Sequence, residues 1–108
     1  MASFPCFPPP NAPTGLTATA VSQHQINLAW TDASSNEAGF RIERSPFAPG
    51  SWTQIATVGA NVTTYSNTSL SAGTTYYYRV RAYNASGDSA YSNEAHATTS
   101  GTVTWYHR

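Results

Sequence analysis

The chain has no lysine. Among its 108 residues, formal charge rests on five arginines and five carboxylates, and the net charge is zero. A surface with so few cations has no electrostatic footprint for nucleic acid or anionic lipid, so neither is expected as a partner. Every cation apart from histidine is an arginine: Arg41, Arg44, Arg79, Arg81 and Arg108. Cys6 is the only cysteine, which excludes an internal disulfide and a zinc site built on several thiolates. No apolar run approaches the roughly 18 residues of a membrane-spanning helix, so membrane insertion is not expected. Residues 1–11 lack the basic start and apolar stretch of a signal peptide, and Ser3-Phe4-Pro5 before Cys6 is not a lipoprotein pattern. If the protein is exported, its signal lies outside these residues. Solubility rests on Thr, Ser and Asn, a composition commoner in secreted and cell-surface modules than in cytosolic enzymes.

Reaction chemistry is also missing. The carboxylates Asp32, Glu37, Glu43, Asp88 and Glu94 match no acid/base spacing, and Asp32 and Glu37 share a loop too polar to tune a catalytic pKa. No Gly-x-Ser-x-Gly elbow occurs, and Cys6 stands in a proline-rich segment away from any base. We therefore expect no catalytic residue and no cofactor. His24, His96 and His107 have no ligand spacing, and the 32–37 loop falls short of the about six to eight oxygens calcium takes, so no metal is expected either. The adhesive Arg-Gly-Asp triplet is absent, because Gly87-Asp88 follows Ser86. Three N-glycosylation patterns start at Asn61, Asn67 and Asn84.

What the chain does have is strands. Five of its seven prolines lie in the first 13 residues, marking 1–11 as an extended arm or linker; Pro5-Cys-Phe-Pro8 also fits a PxxP ligand pattern. Alternating apolar residues then predict short strands over 12–21, 25–31, 40–45, 51–58, 63–68, 74–84 and 89–99, separated by turn residues about every ten positions. No helical period occurs. The pattern reads as an all-β, seven-stranded antiparallel sandwich over 12–99, with a tail or linker at 100–108. Within that tail, 102–108 alternates like a further strand able to pair with a neighbour's sheet edge. The expected core is Leu16, Val21, Ile26, Leu28, Trp30, Phe40, Ile42, Ile55, Val58, Leu70, Tyr76, Tyr78 and Val80.

The run Gly73-Thr-Thr-Tyr-Tyr-Tyr-Arg-Val-Arg-Ala-Tyr83 is the most informative. Strand alternation puts Tyr76, Tyr78, Val80 and Ala82 on one face and Tyr77, Arg79, Arg81 and Tyr83 on the other. With Arg41 and Glu43 on a neighbouring strand, the second face reads either as a cross-strand ladder covering the sheet or as a platform for a sugar or protein. Trp52, at the start of its strand, is expected to be partly buried beside it.

Trp30 in the second strand and Leu70-Ser-Ala-Gly73-Thr-Thr-Tyr76 resemble the fibronectin type III family, with Ala72 where that family's corner has proline. Asn36-Glu-Ala-Gly-Phe-Arg-Ile-Glu-Arg-Ser45 and Tyr91-Ser-Asn-Glu-Ala95 resemble its bacterial branch. The resemblance implies an immunoglobulin-like sandwich in which Trp30, Leu70, Gly73 and Tyr76 are structural, with the Tyr76 hydroxyl reaching backbone a few residues upstream. It implies a non-catalytic extracellular or cell-surface spacer of a bacterial multidomain protein, such as a polysaccharide-degrading enzyme. Its partners would be the neighbouring domains. Two alternatives are a glycan- or protein-binding module using the Tyr/Arg face, and a self-assembling subunit whose tails dock on other copies.

Overall fold

A computed structural model describes residues 8–46 and 50–101. Cys6, most of the Pro5–Pro8 motif, Pro49 and the 102–108 segment lie outside the described residues. The chain forms β1 (Thr14–Ala20), β2 (Ile26–Thr31), β3 (Gly39–Pro46), β4 (Thr53–Gly59), β5 (Thr64–Asn67), β6 (Thr75–Asn84), β7 (Gly87–Asp88) and β8 (Ala95–Thr98). One sheet has the order β1-β2-β5; the other has β4-β3-β6-β7, with β8 also pairing β6. All pairings are antiparallel. The fold is an all-β sandwich of two sheets.

The inner faces follow from strand parity. Ile26, Leu28 and Trp30 from one sheet meet Phe40, Ile42, Tyr76, Tyr78, Val80 and Ala82 from the other, joined by Leu16 and Leu70, all buried. Trp30 packs edge-on to Phe40 with ring centroids 5.6 Å apart, a favourable aromatic geometry. Its indole Nε1 is buried without a hydrogen-bond partner, so its value to the fold is that of ring burial. Val21 does not join this core and is half exposed. Leu16, Ala18 and Ala20 are the inward series of β1, so Val21 has the opposite parity; it opens a turn in which its amide bonds Gln25 O at 3.0 Å. Ile55 and Val58, on the edge strand β4, are only partly buried against the core.

The corner before β6 is closed by side chains. The Ser71 amide donates to the Tyr76 hydroxyl at 3.0 Å, and Gly73 takes φ 60°, a conformation that suits glycine. Thr99, buried, donates its hydroxyl to Ser71 O at 2.6 Å and accepts the Thr74 amide at 3.0 Å.

The last strand expected over 89–99 forms only at Ala95–Thr98 (β8), and a short β7 at Gly87–Asp88 precedes it in the stretch read as a turn, giving eight strands among the described residues rather than seven. β7 pairs Tyr83 and Asn84, β8 pairs Thr75 to Tyr78, and between them serine hydroxyls stand in for backbone acceptors. Ser89 Oγ accepts the Ala82 amide at 2.8 Å, and Ser92 Oγ accepts the Val80 amide at 3.0 Å. Ser89 N and Ser92 N meanwhile donate to Ala82 O and Val80 O. A hydroxyl that competes with the backbone in this way breaks the ladder while keeping the inner strand's amides satisfied.

Candidate functional site

The outer face of the β3–β6 sheet brings together the residues that the alternation singled out. Register sets Arg41 opposite Arg81 and Glu43 opposite Arg79. Such cross-strand neighbours are close enough to interact directly. Glu43 is buried at the centre. Its Oε1 accepts Arg79 Nε at 2.8 Å, its Oε2 accepts the Tyr91 hydroxyl at 2.8 Å, and Arg81 Nη2 lies 3.7 Å from Oε2. Asp88, from β7, takes Arg81 at 3.3 Å and Arg41 at 3.1 Å.

The same guanidinium groups lie over aromatic rings. Arg79 is sandwiched between Trp52 and Tyr91, at 4.4 Å and 3.6 Å from their ring centroids. Arg81 lies 4.7 Å over Tyr91, and Arg41 lies 4.1 Å over Tyr83. Tyr77 instead pairs with His96, ring centroids 5.1 Å apart. Each of the three guanidiniums thus has both a carboxylate and a ring from within the face. Lysine could not replace them, because only a planar group stacks and donates sideways at once. Burial, the Glu43 hydrogen bond and the Glu43 charge push the Tyr91 hydroxyl above its ordinary pKa, against the pull of Arg79 and Arg81.

Arg44 goes the other way, onto the inner face. It donates to Asn67 Oδ1 at 3.0 Å and lies over Tyr76 at 5.2 Å, while the Tyr78 hydroxyl donates to the same Asn67 oxygen at 2.7 Å. Burial pushes the Tyr78 hydroxyl well above its usual range, Arg44 opposing. Asn67 is buried, and its Oδ1 accepts both of these donors. Among the described residues, no group of three or more His, Cys, Asp or Glu is placed to hold a metal ion.

At one end of the sandwich the loops are tied together. Glu37 is buried and accepts the Asn61 amide at 3.0 Å, supporting a turn in which Asn61 takes φ 66°. Gly39 leaves no room for a side chain, since a Cβ there would meet Val58 O at 2.3 Å. Asn93 joins the two sheets: its Oδ1 accepts the Leu16 amide at 2.9 Å and its Nδ2 donates to Leu16 O at 3.0 Å. Those Leu16 groups are free because β1 bulges between Thr14 and Thr17, where Gly15 takes φ 64°.

Comparison with known proteins agrees with this architecture, the fibronectin type III domain pattern matching residues 11–98. The chain belongs to the fibronectin type III family. An α-amylase of Niallia circulans is 38% identical over 93 residues, covering 83% of this chain and 7% of that protein. A chitinase of Paenibacillus xylanexedens is 32% identical over 95 residues, covering 85% of this chain and 17% of the enzyme. The crystal structure of a β-1,2-glucanase from Parabacteroides distasonis superposes with a TM-score of 0.77 at 28% identity, over 94% of this chain and 14% of that one. The chain therefore spans less than a fifth of each of these proteins. The fibronectin type III domain is a non-catalytic module in these hydrolases, where the matching stretch is a small part of a longer chain.

The fibronectin type III framework gives its signature residues physical roles. Glu37, Gly39 and Glu43 of the 36–45 motif hold a loop, admit a close backbone approach and anchor the arginines. Tyr91, Ser92 and Asn93 of the 91–95 motif cover Arg79, cap the Val80 amide and bridge to β1. Reading of the face from sequence missed Tyr91 and Asp88, which come from the irregular last edge. Their signal was the serine pair at 89 and 92, spaced by three where a strand requires two.

Proposed function

We propose that this fibronectin type III module is an extracellular spacer within a bacterial polysaccharide-degrading enzyme, holding its neighbouring domains apart on a rigid, low-charge body. The relatives named as amylase, chitinase and glucanase support the setting, since each carries a matching stretch as a small fraction of its length. The observation that carries the spacer reading over a binding reading is that the Tyr/Arg face is largely paired within itself, the unpartnered Arg81 Nε being buried rather than open to a ligand. A platform that recognises sugars offers open ring faces and unpaired donors. Here Arg79 occupies faces of Trp52 and Tyr91, and Arg41 one of Tyr83. The guanidiniums have carboxylates already.

Titration of the chain with soluble starch, chitin oligosaccharides and β-glucan, followed by tryptophan fluorescence, tests this directly. Trp52 is half-buried on the candidate face and would report an occupant. No change at millimolar sugar is the expected result. A saturable shift that Trp52→Ala abolishes would replace the spacer reading with a binding one.

A further inference from the structure

Residues 8–13, the described part of the proline-rich segment, pack and bond against the sandwich. Pro10 and Pro13 are buried, and Asn11 Nδ2 donates to Ala33 O at 3.0 Å. At Pro8 the carbonyl oxygen accepts two side-chain amides, Asn36 Nδ2 and Asn84 Nδ2, each at 3.1 Å. Asn84 Nδ2 also donates to Asn36 O at 3.1 Å, so the end of β6 and the loop before β3 are bonded to each other as well as to the arm. Each asparagine is set by its own acceptor. Asn84 Oδ1 takes the Ser86 amide at 2.8 Å, and Asn36 Oδ1 takes the Ser34 hydroxyl. An open pocket lined by Asn36, Asn84, Ala85 and Ser86 lies at the same place.

The chemistry suits a proline segment. Residues 8 to 10 are all proline and have no amide to donate, so their carbonyls are the only backbone handle. The side-chain amides of Asn36 and Asn84 supply the missing donors. Because proline fixes φ in advance, little chain entropy is lost on holding such a segment.

We propose that Asn36 and Asn84 form a latch on the Pro8 carbonyl, which makes the joint on the N-terminal side of the domain directional instead of a swivel. They are positioning residues: they orient the preceding chain relative to the sandwich and touch no ligand. The consequence for neighbouring domains rests on the spacer reading above, whereas the latch itself belongs to this chain alone.

Replacing both residues by aspartate keeps each acceptor and deletes each donor, so Asn36→Asp with Asn84→Asp is the discriminating variant. Carbon-13 relaxation at the Pro8 Cα in the full chain should give an order parameter near the ~0.85 of rigid backbone, falling below about 0.6 in the double variant. Ile42 and Val80 should stay rigid in both and report that the fold is intact. Should the double variant lose its fold, Asn36→Asp alone is expected to lower the Pro8 value part of the way. A Pro8 that is already mobile in the wild type, or is unchanged in a folded variant, overturns the latch. A mobile Pro8 in a chain that binds no polysaccharide removes the latch and leaves the spacer reading standing; polysaccharide binding with an ordered Pro8 does the reverse.

Discussion

Glu43 is a buried carboxylate on the outside of the molecule, and that position explains the arginines around it. A lone buried charge would be costly, but Arg79 and the Tyr91 hydroxyl satisfy its two oxygens and Arg81 adds a second cation. Glu43→Gln keeps the shape and removes the charge, leaving Arg79 and Arg81 close together with only Asp88 to offset them. The expected loss is about 1.5–3 kcal/mol of unfolding free energy, toward the lower end because the guanidiniums remain partly in water. Urea unfolding of the variant measures it. A loss under about 0.5 kcal/mol would mean that the network adds no more than an ordinary surface pair. Glu43, Arg79 and Arg81 were legible in the sequence because alternation places them on one face. Tyr91 was not, since its place over Arg79 depends on how a distant segment bends.

That bend is a property of the last edge of the sheet. The stretch 89–99 reads as one strand by its alternation, yet it pairs with β6 as a strand only over Ala95–Thr98, Gly87–Asp88 pairing just ahead of it. The middle is bridged by Ser89 and Ser92, whose hydroxyls accept the Ala82 and Val80 amides. Ser92→Ala would leave the buried Val80 amide without its acceptor, and a loss of about 1–3 kcal/mol is expected. Hydrogen exchange at Val80 should quicken along with it. Ser86→Ala, on an exposed loop, should stay within about 0.5 kcal/mol of wild type and serves as the comparison. Equal effects from the two substitutions would show that the Ser92 hydroxyl is not a structural acceptor. Sequence periodicity cannot show such a bridge, because side-chain hydroxyls and backbone carbonyls are interchangeable only once the strands lie side by side.

For the whole molecule, the buried Tyr78 hydroxyl is expected to set an alkaline limit on stability. The Tyr78 hydroxyl, buried and bonded to Asn67, titrates above its ordinary value. Unfolded chains lose this proton near pH 10 while the folded state retains it, so the contribution is complete below about pH 10 and declines as pH rises toward the folded value. Tyr91 acts in the same direction. Urea midpoints between pH 8 and 11 should fall more steeply in the wild type than in Tyr78→Phe, even though the variant starts about 0.5–1.5 kcal/mol less stable from the lost hydrogen bond. Parallel curves would show that Tyr78 does not set the limit. Local pattern in the chain was enough to read the class of fold, the inward series of β2, β3 and β6, and the glycine corner ahead of Tyr76. These depend on strand parity and local backbone freedom, which neighbouring residues dictate. Three features needed the packed sandwich: the Tyr/Arg face pairing within itself, the exposure of Val21, and the Asn93 bridge to β1. Those outcomes depend on contacts between residues far apart in the chain, whose distances are settled only when the two sheets pack.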